Sequence, residues 1–183
     1  MLKGKKIADF LTDLASKKPA PGGGSASALA GAMAAGLVVK VAELTLGKEK
    51  YKERQGDFEK IRAEAREKLT KLTKLIEEDT KAYRQVVKTK FSQPAVKYAA
   101  KVPLETAQVS LTVLKMASVA AKYGNQNCRS DALCAIKLAT AAIDGALENV
   151  RANLPFIKDK KFCQKLKDQI EEITSLAFTN NLC

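Results

Sequence analysis

A glycine-rich segment followed by small residues constrains the fold of this chain more than any other feature. Residues 19–36 read PAPGGGSASALAGAMAAG. Gly22, Gly23 and Gly24 permit a tight turn and the close approach of another group. Ser25 is a preferred N-cap residue, which predicts that a helix begins there. The turn either feeds a closely packed helix and does no more, or seats an anion on the free N–H groups and the dipole of the helix N-terminus.

The rest of the chain predicts an all-α fold. Of its 183 residues, 46% are hydrophobic and only 5% aromatic, which suits helices packed through Ala, Leu, Val and Ile. Apolar residues recur at helical spacing and no segment shows sustained strand alternation. We therefore expect a single-domain helical bundle of about five to six helices over residues 1–183. The predicted helices cover about 5–16, 25–45, 52–88, 104–122, 130–153 and 160–179, with Pro94, Pro103 and Pro155 as breaks.

The charge of the chain favours anionic partners. Its formal net charge is +12, which attracts polyanions. The basic residues are scattered among acidic ones, as on solvated helices, so nucleic acid is not an expected partner. We find no uncharged apolar run long enough to span a membrane and no signal peptide at the start, so we expect no membrane association and a cytoplasmic protein.

Two residue types limit the chemistry. The chain contains no histidine, which excludes a serine–histidine or cysteine–histidine hydrolase and a histidine-ligated metal site. The spacing of its four cysteines fits no zinc pattern, and we expect them to be reduced; they are Cys128, Cys134, Cys163 and Cys183. We expect no metal, and acid–base chemistry must use other side chains.

Asp79 is the strongest candidate for such chemistry. It falls on the apolar stripe of the long predicted helix, between Ile76 and Tyr83. A carboxylate that faces a core is unfavourable unless it is paired. Burial would raise its pKa and suit it to proton transfer near neutral pH. The alternatives are a structural ion pair or a carboxylate that accepts from a backbone cap.

Two further polar segments flank a predicted helix. The loop YGNQNCRSDA (123–132) precedes it, and Ser130 or Asp131 can cap it, but capping explains only one or two of the polar residues. At the other end, Arg151 lies off the apolar stripe and is either a solvated charge or an anion clamp.

Six segments, in order, resemble the formimidoyltetrahydrofolate cyclodeaminase / methenyltetrahydrofolate cyclohydrolase family. They are the glycine segment, LTLGKEKY, EEDTKAY, VPLETA, GNQNCRSDA and NVRANL, spread over residues 7–157. The resemblance implies an all-helical homodimer that acts, without a cofactor, on a one-carbon tetrahydrofolate, either polyglutamylated or not. This chain departs from the family in a shorter connection before residue 102.

The resemblance also implies an active site where the glycine turn, the helix of Asp79 and the loop around Asp131 come together. Asp79 and Asp131 are then the candidate catalytic carboxylates. The candidate substrate-binding residues are Pro21, Gly22, Gly23, Gly24, Ser25, Lys48, Tyr51, Asn125, Asn127, Ser130 and Arg151.

The resemblance favours hydrolysis of 5,10-methenyltetrahydrofolate to 10-formyltetrahydrofolate. Cyclodeamination of formimidoyltetrahydrofolate, with release of ammonia, is the alternative within the family. A third alternative is a non-catalytic helical dimer that binds folate or another polyanion.

Overall fold

Six α-helices form the fold. The computed structural model describes residues 4–180, with the side chain of Asn180 left out, and it contains no strand within that range. The helices are α1 (Ile7–Leu14), α2 (Gly23–Thr45), α3 (Gln55–Lys88), α4 (Gln93–Tyr123), α5 (Arg129–Asn153) and α6 (Lys160–Asn180). Short 3-10 helices cover Glu49–Arg54, Gln126–Cys128 and Leu154–Phe156. The all-α prediction is confirmed, and six helices match the expected number.

Helix α2 lies at the centre, against α3, α4 and α5. Its small residues permit this packing: a Cβ at Gly31 would lie 2.6 Å from the Ser110 hydroxyl of α4 and 3.1 Å from the Leu72 side chain of α3. Interiors are close-packed, so a larger side chain here would push two helices away. The closely packed helix that one interpretation of the glycine turn predicted is therefore present, and it lies at the centre of the bundle.

Helix α2 is also long and apolar enough to satisfy the length and composition criteria for a membrane span. This differs from the sequence analysis, which found no such run. Just over half of its most apolar window, 56%, is buried inside the bundle. The core helix of a helical bundle meets the same criteria, so the length and composition of α2 are only weak evidence that it crosses a membrane.

The start of α2 differs from the prediction. The helix begins at Gly23 with Gly22 as its N-cap residue, and Ser25 lies inside the first turn. The predicted N-cap role of Ser25 is wrong because its hydroxyl donates to Asp79 on another helix. Likewise α5 begins at Arg129 with Cys128 as N-cap and without a side-chain cap, so neither Ser130 nor Asp131 caps it.

Helix α4 runs through Pro103, where the sequence predicted a break. Proline has no N–H, so the carbonyl of Ala99, four residues earlier, lacks its usual helical donor. The Asn153 side-chain amide of α5 donates to that carbonyl at 3.3 Å. A side chain from a neighbouring helix thus replaces the missing bond, and the helix continues.

Helix α1 leaves apolar side chains uncovered. Phe10 is buried, but Ile7 and Leu11, three residues before it and one residue after it, are 76% and 53% exposed. Together with Met33 of α2, which is 47% exposed, they give this side of the chain an apolar surface. A cavity of about 370 Å³ lies along it.

Candidate active site

The Asp79 carboxylate sits on the N-terminus of α2. The Ser25 hydroxyl donates to Asp79 Oδ2 at 2.7 Å, and the Ser25 backbone N–H donates to the same carboxylate. The Ser25 hydroxyl also lies 3.3 Å from the hydroxyl of Thr80. Free N–H groups at a helix start favour an anion. The predicted anion seat therefore exists, and the chain's own carboxylate occupies it.

Gly24 is required for this arrangement. A Cβ at residue 24 would overlap the carboxylate, since it would lie only 2.6 Å from Asp79 Cγ. A side chain at residue 24 would therefore displace the carboxylate from its position on the Ser25 hydroxyl and N–H. The third glycine of the turn thus permits the close approach of another group, as the glycine-rich segment predicted, and that group is the Asp79 carboxylate.

Burial raises the pKa of the Asp79 carboxyl above its ordinary value. The hydrogen bonds from the Ser25 hydroxyl and backbone N–H stabilise the anion and offset part of that rise. Because burial dominates, the carboxyl exchanges its proton at a higher pH than an exposed aspartate does. The sequence expectation of a core-facing carboxyl with a raised pKa is confirmed.

Asp79 opens on a cavity of about 320 Å³. The walls come from the glycine turn, from the last turns of α3, from the start of α4 and from the end of α5. The residues that line it are Pro19, Ala20, Gly22, Gly23, Gly24, Asp79, Ala82, Tyr83, Val86, Phe91, Val96, Ala99, Asn149, Asn153 and Phe156. Within residues 4–180, no group of three or more His, Cys, Asp or Glu residues could hold a metal ion.

Two asparagine side chains supply further polar groups to the wall of this cavity. Asn149 Nδ2 donates to the Gly145 carbonyl at 2.7 Å, and Asn153 Nδ2 donates to the Asn149 carbonyl at 2.8 Å. A Cβ at Gly23 would lie 3.2 Å from Asn149 Nδ2, so the glycine turn and α5 are in close contact. With their amide nitrogens engaged, both side chains keep their carbonyl oxygens for the N–H groups of a ligand.

The cavity does not include Asp131. Lys40 Nζ lies 3.0 Å from Asp131 Oδ2, at the opposite end of the α2–α5 pair. Lys40 follows Gly24 by four and a half turns of α2, about 24 Å along the axis. The expectation that the loop around Asp131 meets the glycine turn and Asp79 is therefore wrong within one chain, because α2 and α5 are antiparallel.

The other loop residues lie with Asp131 and hold the end of α2. Asn125 Nδ2 donates to the Leu44 carbonyl at 2.8 Å, and its Oδ1 accepts from the Asn127 backbone at 3.1 Å. The Tyr51 hydroxyl accepts from the Gln126 backbone at 3.1 Å. Lys48 and Ser130 are exposed near this end of the bundle. Within one chain, none of these residues lines the Asp79 cavity.

Arg151 and Pro21 also lie outside the cavity wall. The Arg151 guanidinium pairs with Glu148 Oε1 at 2.6 Å on the exposed side of α5, which supports the solvated-charge interpretation. Pro21 is buried in the turn and lines a neighbouring cavity with Lys81 and Arg84.

The cavity has an aromatic rim that no sequence pattern indicated. Phe91 and Phe156 pack with ring centroids 5.2 Å apart. Phe91 follows the end of α3, where Lys90 and Phe91 have φ angles of 49° and 62°. The left-handed conformation costs a residue with a side chain about 1–2 kcal/mol. Since neither residue is a glycine, the sequence carries no signal for this turn.

Comparisons with known proteins agree with this architecture. The chain is 33% identical to a methenyltetrahydrofolate cyclohydrolase of Methylorubrum extorquens over 97% of its own length and 92% of that protein. It is 31% identical to a formimidoyltransferase-cyclodeaminase of Dictyostelium discoideum, of which it spans about a third, 34%. The crystal structure of a formiminotetrahydrofolate cyclodeaminase from Thermotoga maritima superposes with a TM-score of 0.95 at 30% identity, over 99% of this chain and 94% of that one.

The match to the family extends along almost the whole chain. The sequence model of formiminotransferase-cyclodeaminase matches residues 6–172. This range contains the glycine turn, the helix of Asp79 and both asparagines of the cavity wall. The resemblance found in the sequence is thereby confirmed, and the chain belongs to the formiminotransferase-cyclodeaminase family.

Proposed function

We propose that this protein is a methenyltetrahydrofolate cyclohydrolase and that Asp79 is its catalytic carboxylate. The observation that carries the proposal is a partly buried carboxyl, seated on a helix N-terminus, that opens on a cavity lined by no other charged side chain. The near full-length similarity to the Methylorubrum extorquens cyclohydrolase supports this activity over others.

The substrate of this reaction is a cyclic amidinium cation. The Asp79 carboxylate offsets the positive charge and accepts a proton as water adds to the bridging carbon. It then returns that proton to the departing folate nitrogen as the carbon–nitrogen bond breaks. The new hydroxyl loses its proton to solvent as the formyl carbonyl forms, so the products are 10-formyltetrahydrofolate and one proton.

The absorbance decay of 5,10-methenyltetrahydrofolate in a non-nucleophilic buffer tests the proposal. We expect a clear acceleration by the purified protein over spontaneous hydrolysis. No acceleration, with the protein folded, would contradict a cyclohydrolase.

Cyclodeamination is the second candidate, favoured by the likeness to the Thermotoga maritima structure. Here a folate nitrogen attacks the formimino carbon, and ammonia leaves. Asp79 could serve the same proton transfers, since both reactions pass through the bridging carbon. Ammonia release from formiminotetrahydrofolate identifies this activity, and folate binding without either turnover would support the non-catalytic alternative.

We also propose that the chain acts as a homodimer that pairs through α2. Met33 of α2 and Ile7 of α1 are exposed apolar side chains that line an apolar groove, and Leu44 of α2 and Leu11 of α1 are exposed as well. Burying such a surface between two copies favours association. Asp131 reaches a substrate in the Asp79 cavity only if a second protomer brings it there. A monomer in sedimentation at micromolar concentration would contradict the dimer.

We expect a cytoplasmic enzyme that needs neither a metal nor an organic cofactor, with a tetrahydrofolate, polyglutamylated or not, as its substrate. The net charge of +12 favours substrates with several carboxylates through long-range attraction.

A further inference from the structure

We propose that Phe91 and Phe156 form the binding site for the p-aminobenzoylglutamate half of the folate substrate. The inference rests on the proposed function, since it assigns part of a folate to part of the Asp79 cavity. The two rings pack at 5.2 Å with an angle of 39° between their planes. Phe91 is 49% and Phe156 50% exposed, and both line the cavity. They therefore form its rim, and both phenylalanines are half-exposed and accessible to a ligand.

The Phe91 ring is fixed by the end of α3. The Phe91 backbone N–H donates to the Val86 carbonyl at 2.9 Å, and the Lys90 N–H donates to the Val87 carbonyl at 3.2 Å. This is the hydrogen-bond pattern of a Schellman cap, in which glycine usually occupies the left-handed position. Strained backbone of this kind persists where its surroundings over-determine it, and it concentrates at ligand sites.

The Phe156 ring is fixed by a link between the segments that carry the two rings. Gln93 Nε2 donates to the Phe156 carbonyl at 3.1 Å, and Gln93 Oε1 accepts from the Lys158 N–H at 2.8 Å. One side chain thus joins the start of α4 to the 3-10 helix after α5. The backbone that carries each ring is thus held in place before any ligand arrives, which lowers the entropy cost of binding.

The chemistry of the cavity orients the substrate. In a one-carbon folate the reacting carbon lies between the pterin and the aminobenzoyl ring, so the two halves extend in different directions from Asp79. The pterin carries N–H donors, which match the carbonyl oxygens of Asn149 and Asn153. The apolar aminobenzoyl ring has few such groups and matches the aromatic rim.

Charge beside the rim fits the glutamate. Lys90 and Lys158 are exposed, and each lies within two residues of one of the rings in sequence. Neither forms an ion pair with another residue of the described range 4–180. A glutamate that extends beyond the aminobenzoyl ring therefore reaches a region of uncompensated positive charge.

The test uses two compounds that represent the two halves of the substrate. Isothermal titration measures the binding of p-aminobenzoylglutamate and of 6-methyltetrahydropterin to the wild-type protein and to Phe91→Gly and Phe156→Ala. Glycine adopts the backbone angles of residue 91 readily, so Phe91→Gly removes the ring without strain. Phe178→Ala, at a 70% exposed phenylalanine of α6 outside the cavity, is the matched control.

We expect both rim variants to bind p-aminobenzoylglutamate roughly 2- to 10-fold more weakly, as the loss of an aromatic pair predicts. Their affinity for the tetrahydropterin stays at the wild-type value, and the control matches the wild type for both compounds. With 5,10-methenyltetrahydrofolate as substrate, the rim variants show a raised KM at unchanged kcat.

The opposite results overturn the proposal. Unchanged p-aminobenzoylglutamate affinity in both folded rim variants would do so, as would an equal loss for both compounds or no binding of this compound by the wild type. Ring-dependent binding without folate turnover would instead leave the rim assignment standing and contradict the proposed hydrolysis. The two proposals therefore fail in different ways.

Discussion

At the scale of single residues, Gly24 and Asp79 depend on each other. The carboxylate occupies the space where a side chain at residue 24 would lie. Its contacts with the Ser25 hydroxyl and N–H place it at the positive end of α2. The identity of residue 24 therefore determines where the carboxylate lies, and small displacements of a catalytic group have large effects on rate.

Gly24→Ala should lower the activity by about 100-fold or more, because the new Cβ displaces the carboxylate. The matched control is Gly56→Ala, at an exposed glycine in the first turn of α3 that has no neighbour within 4 Å of a built Cβ. We expect the control to keep full activity and to be more stable by about 0.5–1 kcal/mol. Initial rates of both variants measure the effect. A fully active Gly24→Ala protein would contradict the claim that residue 24 must lack a side chain for the Asp79 carboxylate to be placed correctly.

The raised pKa of Asp79 makes stability depend on pH with a definite sign. A group with a higher pKa in the folded state binds more protons there, so its contribution to stability falls as pH rises above the ordinary aspartate value of about 3.9. Asparagine does not ionise, so its contribution to stability does not change with pH in this range. The free energy of unfolding of the wild type, minus that of Asp79→Asn, should therefore decrease from pH 4 to pH 7 in urea titrations. An increase would mean that the fold stabilises the charged carboxylate.

The same shift sets the expected pH profile of the reaction. If Asp79 is the general base, kcat/KM rises with pH as the carboxyl ionises, and the acid limb reports its pKa. We expect that limb to lie above the ordinary aspartate value. Because kcat/KM refers to the free enzyme, this limb reports the ionisation of the Asp79 carboxyl before the substrate binds.

At the scale of elements, helix α4 shows how side chains from neighbours complete a helix. Asn153 replaces the bond that Pro103 removes. Elsewhere on the same helix the buried Ser110 hydroxyl has no hydrogen-bond partner among the residues that the structure describes. The buried Ser118 hydroxyl, in contrast, donates to the Leu114 carbonyl at 3.0 Å. Of these two buried serines on α4, only Ser118 thus forms a hydrogen bond within the described residues that offsets the loss of contact with water.

Ser110→Ala should raise the free energy of unfolding by about 1 kcal/mol, because it removes an unsatisfied buried hydroxyl. Ser118→Ala, the control on the same helix, should have no stabilising effect. Urea unfolding of both variants measures the difference. If the two substitutions changed stability alike, the Ser110 hydroxyl would have to be bonded in solution.

The sequence predicted the elements better than their contacts. Helical periodicity gave α2, α3, α5 and α6 within a few residues, since apolar spacing reports the buried face directly. It failed at Pro103, because the compensating donor, Asn153, is distant in the chain. It correctly placed Asp79 on the core-facing stripe of its helix. The family resemblance also implied that Asp131 lies beside Asp79, which is wrong within one chain because α5 runs antiparallel to α2. The aromatic rim depends on the left-handed backbone at Lys90 and Phe91, and no glycine in this segment of the sequence indicates that conformation.

At the scale of the whole molecule, the open question is how the two ends of the α2–α5 pair cooperate. The Asp79 cavity lies at one end and the Asp131–Lys40 pair at the other. In a homodimer with a two-fold axis near the middle of α2, one end of each protomer approaches the opposite end of its partner. Met33, which is exposed on α2, lies near that midpoint. Such a dimer would give Asp131 a role that one chain does not allow.

Mixed dimers test this arrangement. If a site combines Asp79 of one protomer with Asp131 of the other, Asp79→Asn and Asp131→Asn proteins are each inactive alone. Random mixing then restores about a quarter of the wild-type activity, because half of the dimers contain one intact site out of two. If the Asp131→Asn protein is inactive and mixing restores no activity, a shared site is contradicted. If the Asp131→Asn protein alone is fully active, Asp131 has no part in the mechanism.

The central claim is that the Asp79 carboxylate on the N-terminus of α2 catalyses turnover of a one-carbon folate. The most direct test is the initial rate of 5,10-methenyltetrahydrofolate decay with Asp79→Asn, alongside Asp144→Asn at an exposed carboxylate of α5 outside the cavity. We predict a wild-type rate for Asp144→Asn and a kcat lowered by about 10²–10⁴-fold for Asp79→Asn, with its helical circular dichroism unchanged. Near-normal turnover by a folded Asp79→Asn protein would contradict the account.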